Sequence, residues 1–462
     1  MSRTEGGTDH LGAGNPSPAG RDLDIKYPGY LVSRIAGSVE SLNSPSALVT
    51  RLGASPKAEN FMKDVLIIGG GFAGVWSAAG AVRAAREAGS AGRDVRVTLV
   101  SGGDDLVIRP RLYEDAPESM RVALDRVLGP IGVRRITATV TGIDTDAHTV
   151  RAVGRTGEEL SLTYDKLVLA TGSQLVRPDF PGSDNLFDVD TLPAAAALGN
   201  HLRRLPEQPY SPGRYTAAVV GAGFTGLEIA TALGERLHAI AAPNGSRDEV
   251  RVLLVDRADV VGPELGENPR SVIDEAIGGL NIERRLGRTV ASATSESLTL
   301  SDGETIPAAT VVWTAGIAAS PLTAQIPGEH DRLGRLQVDA HLRVRGVPDV
   351  YAAGDTALAP AEDGYSTMQS CQHALPMGKF AGHNVTADLL GNIPLQFTPD
   401  PYTTCLDLGP AGAVFTEGRD RKIAMTGEEA KALKQNINAL WIYPPVDDPE
   451  QILDQAGRFS NG

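Results

Sequence analysis

Two glycine fingerprints, and the carboxylates that follow them, are the residues of this chain best suited to chemistry. The first is Gly69-Gly70-Gly71-Phe72-Ala73-Gly74, preceded by Val65-Leu66-Ile67-Ile68. The second is Gly221-Ala222-Gly223-Phe224-Thr225-Gly226, preceded by Ala217-Ala218-Val219-Val220. Each lies between an apolar run and an Ala-rich segment, the strand–turn–helix context in which G-x-G-x-x-G carries meaning. The first glycine makes the tight turn, the second lets backbone approach a pyrophosphate, and the third packs helix on strand. The helix N-terminus then attracts the phosphates. Gly69, Gly71 and Gly74, with Phe72 and Ala73 between them, are therefore candidates to hold one dinucleotide. Gly221, Gly223 and Gly226, with Thr225, are candidates to hold a second. Two such sites in one chain imply electron transfer between the bound molecules, most simply from a nicotinamide to a flavin. Asp256 ends the strand after the second loop, where a carboxylate favours a free ribose diol and repels a 2′-phosphate. That argues for NADH, while Arg257 beside it keeps NADPH possible. Glu228 lies on the first helical turn after the second loop, where a carboxylate also complements the helix dipole.

These residues need strands and helices to aim them. From Met62 the pattern runs strand, glycine loop, helix, then a second strand at Val95-Arg96-Val97-Thr98-Leu99-Val100. A strand-rich stretch follows around residues 133–170 and closes on Ala170-Thr171-Gly172. The second unit repeats this logic, with a strand at Val250–Asp256 and a close on Trp313-Thr314-Ala315-Gly316. The halves read as an internal duplication. Val350-Tyr351-Ala352-Ala353-Gly354-Asp355 follows too late to belong to the second unit, so the first domain is expected to be discontinuous. Residues 1–61 read as an N-terminal extension whose first part is rich in Gly, Ser, Pro and Thr and is expected to be disordered.

Composition limits the function classes. A net charge of −14 over 462 residues argues against a nucleic-acid partner, which needs a basic footprint. Only two cysteines occur, Cys371 and Cys405, which fits a reducing compartment and excludes a disulfide framework. No apolar run reaches the roughly eighteen residues of a spanning helix, and no secretory pattern is visible. The expected setting is the cytoplasm, and no metal is expected.

The ordered set of first glycine loop, Ala170-Thr171-Gly172, second glycine loop and Ala353-Gly354-Asp355 resembles the two-dinucleotide-binding flavoproteins of the pyridine nucleotide-disulfide oxidoreductase superfamily. Within it, Arg109-Pro110-Arg111-Leu112-Tyr113-Glu114 and Ser370-Cys371-Gln372-His373-Ala374-Leu375-Pro376-Met377-Gly378-Lys379 are similar to the type II NADH dehydrogenase-like branch. The resemblance implies an α/β fold of the glutathione reductase type. An FAD domain (62–186 and 332–400) would carry an inserted NAD(P) domain (187–331) and a small C-terminal α/β region (401–462). It implies FAD and NADH as cofactors, and electrons passed on to a quinone-like small-molecule acceptor.

It also implies roles for single residues. Ser101 stands where the family has an acidic residue for the adenosine ribose, and Asp355, after Gly354, would bond the flavin ribitol. Arg109, Thr171 and Gly172 join the FAD set, and Ala315 and Gly316 the nicotinamide set. Glu228 would sit close to the nicotinamide, and Gln372 near the flavin ring; these two are the catalytic candidates. The family's A-Q-x-x-x-Q arrangement is altered, with Cys371 for the alanine and Pro376 or Met377 for the second glutamine. That departure leaves open a soluble reductase acting on a specialised-metabolism intermediate, or a redox-responsive binding protein with little turnover. A redox-active Cys pair soon after the first loop is missing, so disulfide reduction is not expected.

Near the C-terminus, Thr426 and Glu429 resemble a capping box, and Ala430, Leu433, Ile437, Leu440 and Trp441 recur at helical spacing. This helix is expected to dock on its own body or in a homodimer, with membrane-surface contact a weaker alternative.

Overall fold

The computed structural model describes residues 62–89 and 93–460; the N-terminal extension expected at 1–61 lies outside them. The chain begins with strand β1 (Lys63–Ile68), glycine-loop helix α1 (Phe72–Glu87) and strand β2 (Val95–Ser101). Strands β3 (Arg134–Asp144), β4 (Thr149–Gly154), β5 (Glu159–Thr163), β6 (Lys166–Leu169) and β7 (Ser173–Leu175) follow. The second unit comprises β8 (Thr216–Val220), helix α2 (Phe224–Ala241), β9 (Arg251–Val255), β10 (Glu283–Arg285), β11 (Thr310–Trp313) and β12 (Ile317–Ala319). The chain then returns through β13 (Val350–Ala352) to helix α3 (Cys371–Leu389). It ends in strands β14 (Thr403–Asp407), β15 (Ala413–Glu417) and β16 (Lys422–Thr426), followed by helices α4 (Gly427–Asn436) and α5 (Pro449–Gly457).

The first sheet has the order β13-β6-β1-β2-β3-β4-β5, and the second β10-β9-β8-β11. In both, the glycine-loop strand is central and pairs in parallel on each side. Val65, Ile67, Ala217 and Val219 are fully buried, as expected of parallel strands covered on both faces. The last parallel strand of the first sheet, β13, follows every strand of the second sheet in sequence, so the second unit is inserted in the first. The two units are tied where each closing strand ends: β7 and β12 pair antiparallel, with Ser173 opposite Ala319 and Leu175 opposite Ile317.

Small residues bring the two long helices of the first unit together. A Cβ placed on Gly382 would meet Ser77 O at 2.0 Å, and one on Gly378 would meet Ala73 O at 2.4 Å. Gly80 likewise faces Lys379 O at 2.7 Å. Glycine is required at these sites because helix backbones touch, and the contact fixes α3 against the first dinucleotide loop.

The C-terminal helix differs from the sequence expectation in two ways. Thr426 precedes α4, but its side chain makes no capping bond; Gly427 turns the chain from strand to helix at φ 67° instead. The inward face is Ala430, Lys434 and Asn438, all buried, whereas Leu440 and Trp441 are 64 % and 51 % exposed. Of the apolar stripe, Ala430 is buried and Ile437 packs against the core, and the hydrogen-bonded Lys434 and Asn438 are buried beside them. Among the described residues, no helix is long and apolar enough to cross a membrane.

Candidate active site between two glycine loops

The two loops share one local geometry. Gly69 and Gly221 take φ of +117° and +111°, a region closed to most L side chains. A Cβ on Gly74 would meet Gly69 O at 1.8 Å, and one on Gly226 would meet Gly221 O at 1.7 Å. Both third glycines thus let the helix close onto its own turn. A Cβ on Gly71 would meet no atom of the described residues within 4 Å, so among them the backbone stays open on the side a pyrophosphate would approach. Phe72 and Ala73 are buried on the first turn of α1.

The other residues expected at the first loop gather around it. Ser101 ends β2 against Gly70, whose Cβ would lie 2.5 Å from the serine Oγ. Asp104, the nearest downstream carboxylate, is committed elsewhere: Arg155, Arg135 and Thr137 bond it and hold it well below the usual carboxylate range. Gly354, at φ 70°, lies against Ala73 and delivers Asp355 to the loop. Ser173 Oγ donates to Asp355 Oδ2 at 2.6 Å, and Arg109 Nη1 donates to Ser173 Oγ at 2.9 Å. Arg109 also pairs with Asp190. Burial raises Asp355, against the pull of Ser173 and Arg109. Thr171 Oγ1 is buried and has no hydrogen-bond partner among the described residues, and Gly172 next to it takes φ 69°. An open glycine backbone, an orphaned hydroxyl and a held carboxylate fit a flavin dinucleotide.

At the second loop, Asp256 Oδ2 accepts the Ala222 N–H at 2.6 Å and Oδ1 accepts the Ala258 N–H at 2.8 Å. The strand-end carboxylate is thereby fixed beside the glycine turn, while Arg257 is exposed. Thr314 Oγ1 donates to Val220 O and Gly221 O, tying the Ala315-Gly316 turn to the loop. Thr225 follows Phe224 on the first turn of α2.

Glu228 is buried, and its partner is one the sequence did not reveal. Lys434 Nζ, from α4, donates to Glu228 Oε1 at 2.8 Å and to Cys405 O at 3.0 Å. The Asp407 N–H reaches the same carboxylate oxygen at 3.2 Å. Burial raises Glu228 above the ordinary carboxylate range, against the pull of Lys434. Burial also opposes the charge on Lys434, but Glu228 prevails and keeps the ammonium. The network extends to Tyr113, whose hydroxyl donates to Asp407 Oδ2 at 2.9 Å, and to Lys431, paired with Asp407 Oδ1.

Gln372 bonds the segment that leads into strand β14. Its Nε2 donates to Pro401 O at 3.2 Å and its Oε1 accepts the Thr403 N–H at 3.4 Å. Strand β14 therefore bonds Gln372 through the Thr403 N–H at its start and Glu228 through the Asp407 N–H at its end, two N–H groups four residues or about 13 Å apart at strand rise. His373 is buried and stacks on Tyr402 with 5.4 Å between rings. Burial lowers it to about 4, so it is neutral near pH 7. Burial also raises both thiols, that of Cys405 to about 11, and both cysteines are free. Neither is a thiolate nucleophile at neutral pH.

Two parallel-sheet units, one inserted in the other, with matched glycine loops and a buried charge network at their junction, define a two-dinucleotide oxidoreductase. The sequence profile of the pyridine nucleotide-disulphide oxidoreductase family matches residues 63–378, and the chain belongs to that family. An NADH dehydrogenase-like protein of Mycobacterium tuberculosis is 46 % identical over 387 residues, 84 % of this chain and 96 % of the relative. A type II NADH:quinone oxidoreductase of the same organism is 30 % identical, with 82 % of each chain covered. The structure of NDH2 from Plasmodium falciparum in complex with NADH matches the fold with a TM-score of 0.70. It is 14 % identical and covers 86 % of this chain and 97 % of that one. The chain is an FAD- and NADH-binding oxidoreductase.

Proposed function

We propose that the first glycine loop holds FAD, that the second holds NADH, that Glu228 lies close to the nicotinamide, and that Gln372 lies near the flavin ring. The observation that carries this reading is the repetition of one loop geometry at Gly69–Gly74 and Gly221–Gly226 within two interlocked sheets. FAD, when bound, supplies the redox chemistry, taking a hydride equivalent from the nicotinamide and passing electrons to a quinone-like acceptor. The protein orients and shields. Asp355, held by Ser173 and Arg109, bonds the flavin side chain, and Ser101 takes the ribose position. Asp256 receives the NADH ribose diol. The Glu228–Lys434 pair keeps a buried carboxylate fixed on the helix of the nicotinamide loop. The relatives' names, NADH:quinone oxidoreductase and demethylphylloquinone reductase, support quinones as the acceptor class.

The discontinuous domain boundaries belong to the same reading. Two free cysteines fit a reducing, cytoplasmic setting. Exposed Leu440 and Trp441 are the residues through which contact with a membrane surface or a second copy would run. Pro376 within α3, at the place of the family's second glutamine, favours a small soluble quinone or a dedicated metabolite over a lipid-embedded one. Turnover with NADH and a series of quinones of increasing chain length tests the proposal. Short-chain quinones reduced at tens per second support it; no acceptor above the rate with oxygen refutes it.

A further inference from the structure

The turn between β15 and β16 leaves the C-terminal sheet and reaches the second glycine loop. Asn268 Nδ2 donates to Asp420 O at 2.6 Å, and Arg421 Nη2 donates to Glu264 O at 3.3 Å. Arg421 is 5 % exposed and takes φ 55°, a backbone state that is strained for a non-glycine residue. Its guanidinium lies 5.5 Å from the Phe224 ring and 4.7 Å from the Tyr402 ring. Phe224 is the first residue of α2, directly after Gly223. Arg421 Nη1 is buried and has no hydrogen-bond partner among the described residues. A buried cation with an unmade bond is costly unless something supplies the acceptor.

An anion already lies near this position. Glu264 Oε1 would be 2.3 Å from a Cβ on Gly223, so the carboxylate covers the second glycine, where a pyrophosphate must approach. Burial raises Glu264, Asp256 adds to that, and Arg421 opposes it. The planar guanidinium suits phosphate oxygens better than an ammonium would, and the α2 N-terminus adds its own attraction for an anion.

We propose that Arg421 is a dinucleotide-binding residue, supplied by the C-terminal hairpin to the pyrophosphate of NADH, and that Glu264 is the internal anion this pyrophosphate displaces. The C-terminal sheet then takes part in nucleotide binding as well as covering the site. The inference rests on assigning NADH to the second loop.

Direct binding tests it, by calorimetry on oxidised, FAD-loaded protein with NAD⁺ and with ADP-ribose, which keeps the pyrophosphate and lacks the nicotinamide. R421A should weaken both ligands by about ten- to a hundredfold, the loss of a charge-assisted bond. R421K should fall between, and E264Q should tighten both by at least about threefold. The flavin spectrum reports folding; if R421A loses it, R421K and E264Q decide. ADP-ribose affinity within about twofold of wild type in R421A would overturn the assignment. So would a loss confined to NAD⁺, which places Arg421 at the nicotinamide end, or an E264Q variant that binds no tighter. Wild-type protein binding neither ligand would overturn the second-loop assignment and the role of Arg421 together.

Discussion

Removing the ammonium of Lys434 would strand the Glu228 carboxylate, with the Asp407 N–H at 3.2 Å as its remaining donor among the described residues. Both residues are buried, each 8 % exposed. At 2.8 Å the pair attracts by roughly 6 kcal/mol at an effective dielectric constant of about 20. Desolvation of the two ions offsets most of that, yet breaking such a pair from one side costs about 3–5 kcal/mol. K434M is therefore expected to lower the melting temperature of the FAD-loaded protein by roughly 6–10 °C, at about 2 °C per kcal/mol for a chain of this size. E228Q leaves a buried ammonium and should cost a similar amount. The double variant strands no charge and should recover at least half of the summed loss. Four melting curves complete the cycle. Single variants that melt within about 1 °C of wild type, or losses that simply add, would refute the buried-pair reasoning.

Other outcomes follow from the same geometry. G74A puts a methyl group against Gly69 O, where a Cβ would lie 1.8 Å away, and should yield colourless protein by absorbance. G226A makes the equivalent clash in the second loop and should stay yellow while losing bleaching by NADH. D256A removes the carboxylate fixed by the Ala222 N–H and should raise NADPH use relative to NADH by about tenfold or more, read as the ratio of kcat/KM values. His373, lowered to about 4 from 6.5, binds fewer protons folded than unfolded between those values. Stability should therefore fall as pH drops from about 6.5 to 4, by up to about 3 kcal/mol. H373Q should flatten that part of the denaturation profile, and an unchanged slope would show that His373 is not the group responsible.

Local backbone chemistry explains what the sequence revealed. Gly69, Gly74, Gly221 and Gly226 are specified by turns and helix contacts within a few residues, so their spacing alone conveys the loop. The insertion was legible for a similar reason, because Val350–Asp355 repeats an apolar strand ending at a glycine turn. Lys434 and Arg421 were not legible. Their partners Glu228 and Glu264 lie far away in sequence, and a lysine on an amphipathic helix or an arginine in a hairpin turn reads as a solvated charge. The spacing of Ala430, Lys434 and Asn438 carried the signal, one face at four-residue intervals, but the apolar stripe drew attention to Leu440 and Trp441, which face solvent. Gln372 was legible as a residue of the helix after the Gly-Asp turn, whereas its bonds to Pro401 and Thr403 depend on strand pairing in the C-terminal sheet.

An anaerobic titration of the purified protein shows whether the two loops hold two dinucleotides acting in series. Visible absorbance would be followed as NADH is added, and again after one equivalent of a soluble quinone. The account predicts a flavin band that bleaches with about one equivalent of NADH and returns on addition of the quinone. A flavin band that NADH leaves unchanged would contradict it.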